Sequence, residues 1–336
     1  MANGPHPETT KQPMSKTEIS IDQLSATVES ALSALGLDSD ERQAVASVLF
    51  YAELRGRSQG LIKIVERTVL PAADKSKLMI VDNNLCMASV SANGNIGMLV
   101  MSEAADKAAS LCEKSGMALV STCGTASSTG SIGYYAEKIA ARGFIGIVLA
   151  GSPKVMALHG SSQAAMGTNP IAAALPTLAA PLVIDLATSA ITWFDIIERD
   201  RNQGQLPDDV AYDARGTVTC SPAAALQGAL KTFGGVKGSA LALLFECLTG
   251  PLSGASLLGD DKDSRGNLLL AIDPSAVHPE IDFRAQMSTM LKRMRETGAS
   301  LPGDRSGKQM EANLAAGTIA IDTDILQELK AIAADV

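Results

Sequence analysis

Between Ala52 and Arg67 the chain reads AELRGRSQGLIKIVER, which sets Arg55, Arg57, Ser58, Gln59 and Lys63 in one short polar stretch. Two guanidiniums and an ammonium this close suit an anionic ligand, because each donates charge-assisted hydrogen bonds to a carboxylate or phosphate. Ser58 and Gln59 add neutral hydrogen-bonding groups. Gln59, at the centre, neither gives nor takes a proton near neutral pH. Chemistry at this stretch therefore needs no general acid, or draws its acid from another residue, or is absent.

Other candidate stretches are turns of small and polar residues. GTASSTGSIGYY (Gly124–Tyr135) lies between a predicted strand and a predicted helix, a setting in which free backbone N–H groups bind anions. A plain strand-to-helix turn has the same texture. MGTNPIA, DLATSA and FGGVKGSA share it, and in FGGVKG the side chain of Lys237 stands at a helix start where it can meet a phosphate or carboxylate. The dinucleotide fingerprint GxGxxG after a first strand is absent.

Taken in order, GTNPIAAALP (Gly167–Pro176), VIDLATSA (Val183–Ala190), GGVKGSALAL (Gly234–Leu243), LPGDR (Leu301–Arg305) and LRGRSQG (Leu54–Gly60) are similar to motifs of one family. From about residue 18 to its end the chain resembles the malate/L-lactate dehydrogenases. These are NAD(P)-dependent oxidoreductases that include ureidoglycolate, sulfolactate and diketogulonate enzymes and the Δ1-piperideine-2-carboxylate/Δ1-pyrroline-2-carboxylate reductases. The resemblance implies an α/β fold that binds the nicotinamide cofactor without a Rossmann domain, usually as a homodimer, which accounts for the missing GxGxxG. It also implies a dinucleotide site lined by Gly167, Thr168 and Asn169, by Asp185, Leu186, Ala187, Thr188 and Ser189, by Val236 and Lys237, and by Gly303, Asp304 and Arg305. A guanidinium at Arg305 suits a 2′-phosphate and favours NADPH over NADH.

The chain departs from the family where the chemistry is done. Ser58-Gln59-Gly60 stands where the family usually has Ser-His-Gly, whose histidine is the proton donor. Lys63 stands where the family usually has an arginine that holds the substrate carboxylate. Ser128 aligns with a second family histidine. A ketone reduced by hydride leaves an alkoxide that needs a proton, and a positioned acid contributes roughly 10²–10⁴-fold to such a step. An iminium already carries its proton and accepts hydride directly, so loss of the histidine harms ketone chemistry more than imine chemistry. The expected roles are orientation by Ser58 and Gln59, carboxylate binding or proton donation by Lys63, and pocket shaping by Ser128. The expected activity is hydride transfer at C2 of a 2-imino acid (a cyclic ketimine carboxylate) or a 2-oxo/2-hydroxy acid. The alternative is a degenerate member that serves as a nucleotide-binding or scaffold protein.

The elements that must position these residues are legible in the hydrophobic pattern. Leu24, Val28, Leu32 and Leu35 recur at helical spacing up to Gly36, and Ser39, Asp40 and Glu41 open a second helix with Val45, Val48, Leu49 and Ala52 on one side. KLMIVD and LCMASVSA predict paired strands, followed by a helix that ends at Gly116. MALVST, FIGIVLAG, PIAAALP, PLVIDLAT and NLLLAID predict further strands. Helices are predicted over GYYAEKIAARG, Ser189–Arg199, Pro222–Leu230, from the FGGVKG turn through Leu258, and in three C-terminal segments. The expected division is a disordered tail at 1–17, a helical domain from 18–72 and 278–336, and an α/β region at 73–277 with a mixed sheet.

Composition bounds the partners. The 336 residues (34.7 kDa) are 46% hydrophobic and 19% charged, the mark of a globular chain. A net charge of −8 opposes a nucleic-acid backbone as partner, and 3% aromatic content opposes base stacking. Five dispersed cysteines without a CxxC pair predict reduced thiols in a cytoplasmic protein, and three distant histidines predict no metal site. MANGPHPETTKQPMSK carries no apolar segment and reads as a tail rather than a signal peptide. Apolar runs fall short of the ~18 residues a membrane span needs.

Overall fold

A computed structural model describes residues 15–334 apart from 58, 126 and 260–263. Strand β1 (Lys16–Ser20) runs into helix α1 (Ile21–Ala34), whose first turn is capped by the Ser20 hydroxyl accepting from the Gln23 N–H. Leu24, Val28, Ala31 and Leu32 form its buried stripe. Gly36 leaves the helix at φ +80°, the left-handed conformation that ends many helices. Helix α2 (Ser39–Leu54) opens with a capping box supplied by Asp38 rather than Ser39: Asp38 accepts from the Asp40 and Glu41 N–H groups, and Glu41 accepts from the Asp38 N–H. The polar loop that follows leads into the short helix α3 (Ile62–Val65).

The chain continues through β2 (Met79–Asp82), β3 (Met87–Ser91), α4 (Gly97–Ser115), β4 (Met117–Thr125), α5 (Gly133–Ala140) and β5 (Ile145–Ala150). Next come β6 (Met156–Ala157), β7 (Ala164–Met166), β8 (Ile171–Leu175), β9 (Leu182–Leu186), α6 (Trp193–Arg201), β10 (Ala211–Tyr212), α7 (Pro222–Ala225), β11 (Ala229–Leu230) and α8 (Val236–Thr249). The last part holds β12 (Arg265–Ile272), α9 (Pro274–Val277), α10 (Phe283–Glu296), α11 (Asp304–Ala316), β13 (Thr318–Asp322) and α12 (Thr323–Ala334).

Seven strands form the main sheet in the order β2-β3-β4-β12-β5-β8-β9, and only the β3–β4 pair is parallel. Strand β12 therefore runs against both β4 and β5, and β8 runs against both β5 and β9. The C-terminal ends of β4, β5 and β9 thus share one end of the sheet with the N-terminal ends of β8 and β12. A mixed sheet with helices at both ends of the chain is the architecture the sequence predicts.

The cores do not follow the expected domain boundaries. Leu32 and Leu49 from the first helices, Met101 from α4, Val120 and Leu269 from the main sheet, and Leu329 from α12 belong to one apolar core. Helices α1, α2 and α12 thus share one core with the main sheet. The second core lies inside the 73–277 region, where Met156, Met166, Ile196, Val210 and Leu230 pack around the small sheet β10-β11-β6-β7. The tail boundary at 17 also shifts: Lys16 and Thr17 pair with Asp322 and Ile321 in an antiparallel β1–β13 ribbon, while residues 1–14 lie outside the described residues.

Three helices differ from expectation. Helix α6 starts at Trp193 rather than Ser189, because the Thr192 hydroxyl caps it and Ser189 bridges to Thr232. The expected helix at Pro222–Leu230 is a single turn followed by β11. The apolar helix after FGGVKG stops at Thr249, since Gly250 and Pro251 cannot extend it.

Candidate active site

A cleft of about 800 Å³ opens at the sheet end where β4, β5, β8, β9 and β12 meet. Five loops or element starts wall it: Arg57, Gln59 and Lys63 after α2, Ser127–Ser131 after β4, Ala150–Pro153 after β5, Asp185–Ala187 at the end of β9, and Thr192–Asp195 at the start of α6. Arg265 at the start of β12 and Arg305 at the start of α11 complete it. Five cationic side chains (Arg57, Lys63, Arg67, Arg265, Arg305) line it against three carboxylates (Glu66, Asp185, Asp195). In a chain of net charge −8 this local excess favours an anion. Gln59 and Ser128 both line the cleft. Ser58 lies outside the described residues.

Lys63 is the most unusual residue in the wall. It is 1% exposed, and its Nζ sits 3.3 Å from the centre of the Phe194 ring. Loss of water and then the positive charge of Arg265 push the amine well below its usual proton affinity. The face of Phe194 pulls the other way, but a ring offers a cation about 2 kcal/mol. Removing an ammonium from water costs several kcal/mol, so burial prevails.

Asp185 is fixed by the protein. Its carboxylate pairs with Arg57 and accepts from the Ser131 hydroxyl at 2.8 Å and from the Gly133 N–H at 3.2 Å. Gly133 begins α5, so the helix N-terminus that GTASSTGSIGYY offers to an anion already holds the Asp185 carboxylate. A Cβ at Gly133 would lie 2.9 Å from that oxygen, which is why the approach needs glycine. Arg57 is thereby tied to β9 and holds the loop that carries Gln59. The Ser128 hydroxyl accepts from the Gly130 N–H at 3.2 Å and shapes the loop turn.

The expected cofactor residues divide in two. Thr168, Asp185, Leu186, Ala187 and Arg305 line the cleft, and Arg305 is exposed. The others have work inside the fold or stand away from the cleft wall. Asn169 is buried and donates to the Glu246 carboxylate at 2.6 Å and the Ala242 carbonyl at 3.3 Å, which fastens β8 to α8. Gly167 passes so close to Ser152 that a Cβ would meet its carbonyl at 2.3 Å. Thr188 donates to the Thr168 carbonyl and Ser189 to that of Ile191, and both are buried. Gly303 turns into α11 at φ +85°, and Asp304 is committed to Arg295 and the Leu301 N–H. Val236 and Lys237 are exposed at the start of α8 and do not line the cleft.

The sequence profile of the malate/L-lactate dehydrogenase family matches residues 19–330. The chain belongs to this family. An L-sulfolactate dehydrogenase of Methanothermobacter thermautotrophicus is 30% identical over 321 residues, 91% of this chain and 93% of that protein. A Δ1-pyrroline-2-carboxylate reductase of Burkholderia ambifaria is 41% identical over 182 residues, about half of each chain (50% and 53%). The crystal structure of a dehydrogenase from Sinorhizobium meliloti superposes with a TM-score of 0.85 at 28% identity, covering 95% of this chain and 99% of that one. The protein is an oxidoreductase with this fold.

Two residues of this family member escaped the sequence reading. Arg265 precedes NLLLAID with no motif around it, and only the sheet order brings it beside Lys63. Glu53 lies one turn before the polar loop; its half-buried side chain accepts from the Leu61 N–H at 2.8 Å, and loss of water pushes its carboxyl up to about 7. An acidic residue on the inner side of α2, next to Gly60, was the available signal: a Cβ at Gly60 would lie 1.9 Å from the carboxylate.

Proposed function

We propose that the protein moves hydride between a reduced nicotinamide cofactor and C2 of a small carboxylic acid, with a 2-imino acid such as a cyclic ketimine carboxylate favoured over a 2-oxo acid. One observation carries the preference: Gln59 lines the cleft, and none of the described residues lining it is a histidine. The names of the relatives, which include sulfolactate and pyrroline-2-carboxylate enzymes, support a small carboxylate as substrate.

The cleft suits a dinucleotide in size, since ligand pockets span roughly 300–1,000 Å³. Thr168, Leu186, Ala187 and Arg305 would hold the cofactor, and the exposed Arg305 guanidinium supports NADPH over NADH. When bound, the reduced nicotinamide supplies hydride. The chain's own residues do the rest. Gln59 donates a hydrogen bond that orients the acceptor without protonating it. The Arg57–Asp185 pair fixes its loop, and Phe194 and Trp193 form an apolar wall that excludes water. Lys63, buried against Phe194 with its proton affinity lowered by loss of water, would stand beside the acceptor.

Oxidation of NADPH and NADH, followed by absorbance against Δ1-piperideine-2-carboxylate, Δ1-pyrroline-2-carboxylate, pyruvate and oxaloacetate, tests this reading. We expect the ketimine acids to give the larger kcat/KM, and NADPH the lower KM. Cofactor binding without turnover of any of them would leave a nucleotide-binding protein. We also propose a homodimer, supported by the apolar outer face of α8, where Leu241, Leu243 and Leu244 are exposed.

A further inference from the structure

The loop between α2 and α3 carries Gln59 to the cleft and leads directly to Lys63, so the contacts that fix its backbone place both side chains. One end is tied through Arg57 to Asp185 of β9. The other end meets Glu53, in the last turn of α2. The Glu53 carboxyl accepts from the Leu61 N–H at 2.8 Å, and the Gly60 backbone passes so close that a Cβ there would lie 1.9 Å from the same oxygen. The Gly60 carbonyl in turn accepts from the Lys63 N–H at 3.2 Å, and the Leu61 carbonyl accepts from the Ile64 N–H at 3.0 Å. The two residues that rest on Glu53 therefore also hold the first turn of α3.

The surroundings of Glu53 disfavour its charge. Loss of water pushes the carboxyl up to about 7, against the opposing pull of the Leu61 N–H. Glu198 of α6 and Asp322 of β13 add repulsion, which Lys16 of β1 partly offsets. The arginines nearby in sequence are paired with other carboxylates: Arg55 with Glu137, Arg57 with Asp185, and Arg201, one turn along α6 from Glu198, with Glu66 and Glu328. An ionised carboxylate has room for about four hydrogen bonds. Among the described residues the Leu61 N–H is the donor this one receives. Each of these features suits the uncharged acid better than the anion.

We propose that Glu53 is a positioning residue: through the Leu61 N–H it sets the loop that presents Gln59 and Lys63 to the cleft, and it does so as the uncharged acid. When the acid gives its proton to solvent, the charge stands against the Gly60 backbone and near Glu198 and Asp322. The side chain then turns toward water, and the Leu61 N–H and the loop are released. Trp193, the one tryptophan of the chain, lines the same cleft at the start of α6, the helix that carries Glu198. It reports the change from another wall of the cleft. The inference rests on the proposed function only in taking this cleft as the place of reaction.

Trp193 fluorescence of the full-length protein, followed as pH is raised from mildly acidic to mildly basic, tests this without substrate. We expect the wild-type emission to shift with a midpoint at about 7. Glu53→Gln keeps an acceptor for Leu61 and has no proton to lose, so its emission should show no such midpoint. Glu53→Ala lacks the acceptor and should give the wild type's high-pH emission throughout. With NADPH and a ketimine acid, wild-type kcat should fall as pH rises through the same midpoint, by up to about a hundredfold, the scale of a reacting group misplaced by roughly 1 Å. Glu53→Gln should lose that fall, whereas removal of a merely structural contact would leave the shape of the pH profile alone. Circular dichroism reports that each variant is folded; if Glu53→Ala is not, Glu53→Gln decides. A midpoint retained in Glu53→Gln, or absent from the wild type, overturns the proposal. Failure of the wild type to oxidise NAD(P)H with any carboxylate overturns the broader function and leaves the fluorescence result standing.

Discussion

Gln59 lines the cleft, and on the proposed reading the chemistry of its amide decides which substrates remain practicable. An alkoxide forming at C2 requires a proton in the transition state, and the amide has none to give. Introducing an imidazole at this position should therefore act unequally. We expect Gln59→His, which supplies a group with a reference pKa near 6.5, to raise kcat for 2-oxo acids within the roughly 10²–10⁴-fold range of general acid catalysis. Ketimine reduction should change little, or fall where the ring crowds the cleft or repels an iminium. Ser128 lines the same cleft, so the double variant with Ser128→His is the fuller test. Steady-state kinetics of both variants with both substrate classes checks this. Faster wild-type reduction of 2-oxo acids than of any imine, with Gln59→His altering neither, would sink the iminium explanation. Gln59 stood out because it falls inside the LRGRSQG motif, and Lys63 and Ser128 because the resemblance aligns them with family positions; all three line the cleft. Arg265 did not, since nothing local marks a side chain whose neighbours come from β4 and α3.

The loop from α2 to α3 shows what an element adds to its residues. Arg57 ties it to β9 through Asp185, and Glu53 holds its far end through the Leu61 N–H. The Glu53 carboxyl, at an ordinary value of 4.5 when solvated, titrates at about 7 in the fold. Between those two values the folded chain holds a proton that the unfolded chain has released. The contribution is neutral below about pH 4.5 and becomes increasingly destabilising as pH rises to about 7, where it levels off. We expect Glu53→Gln, which keeps an acceptor for Leu61 and removes the charge, to raise stability at pH 8 and to change it little at pH 4.5. Urea unfolding midpoints of wild type and variant across that range measure it. A difference that is constant with pH would show that the carboxyl does not titrate in this window. Helices and strands of the main sheet were readable from periodicity, because their apolar positions repeat at 3.6 or 2 residues. The β1–β13 ribbon was not. Lys16–Ser20 and Thr318–Asp322 meet only because both chain ends pack on the same core.

At the scale of the molecule, α8 is the element the single chain leaves unfinished. Its 14 residues are apolar nearly all round, yet only Gly238, Ala242, Phe245, Glu246 and Thr249 are buried. Val236 (62% exposed), Leu241 (40%), Leu243 (49%) and Leu244 (52%) face outward, and Leu252, Leu257 and Leu258 extend the patch beyond the helix. A helix apolar on every side is ordinarily covered, and among the described residues no helix is long and apolar enough to cross a membrane. A second copy is the occupant that suits this face best. The patch lies on one helix and the loop after it, so a two-fold axis can set it against itself, the commonest arrangement among soluble oligomers. The cover would also reach the cleft. Asn169 fastens α8 to the start of β8 through Glu246 at 2.6 Å, and Thr168 beside it lines the wall. We therefore expect sedimentation equilibrium to give twice the chain mass of 34.7 kDa for the wild type. The double change Leu241→Glu with Leu244→Glu places like charges across the axis and should yield the single-chain mass, with a lower Tm and a raised KM for the cofactor. A wild type of single-chain mass at micromolar concentration, or a double variant that still sediments as two chains, would put the subunit contact elsewhere or remove it.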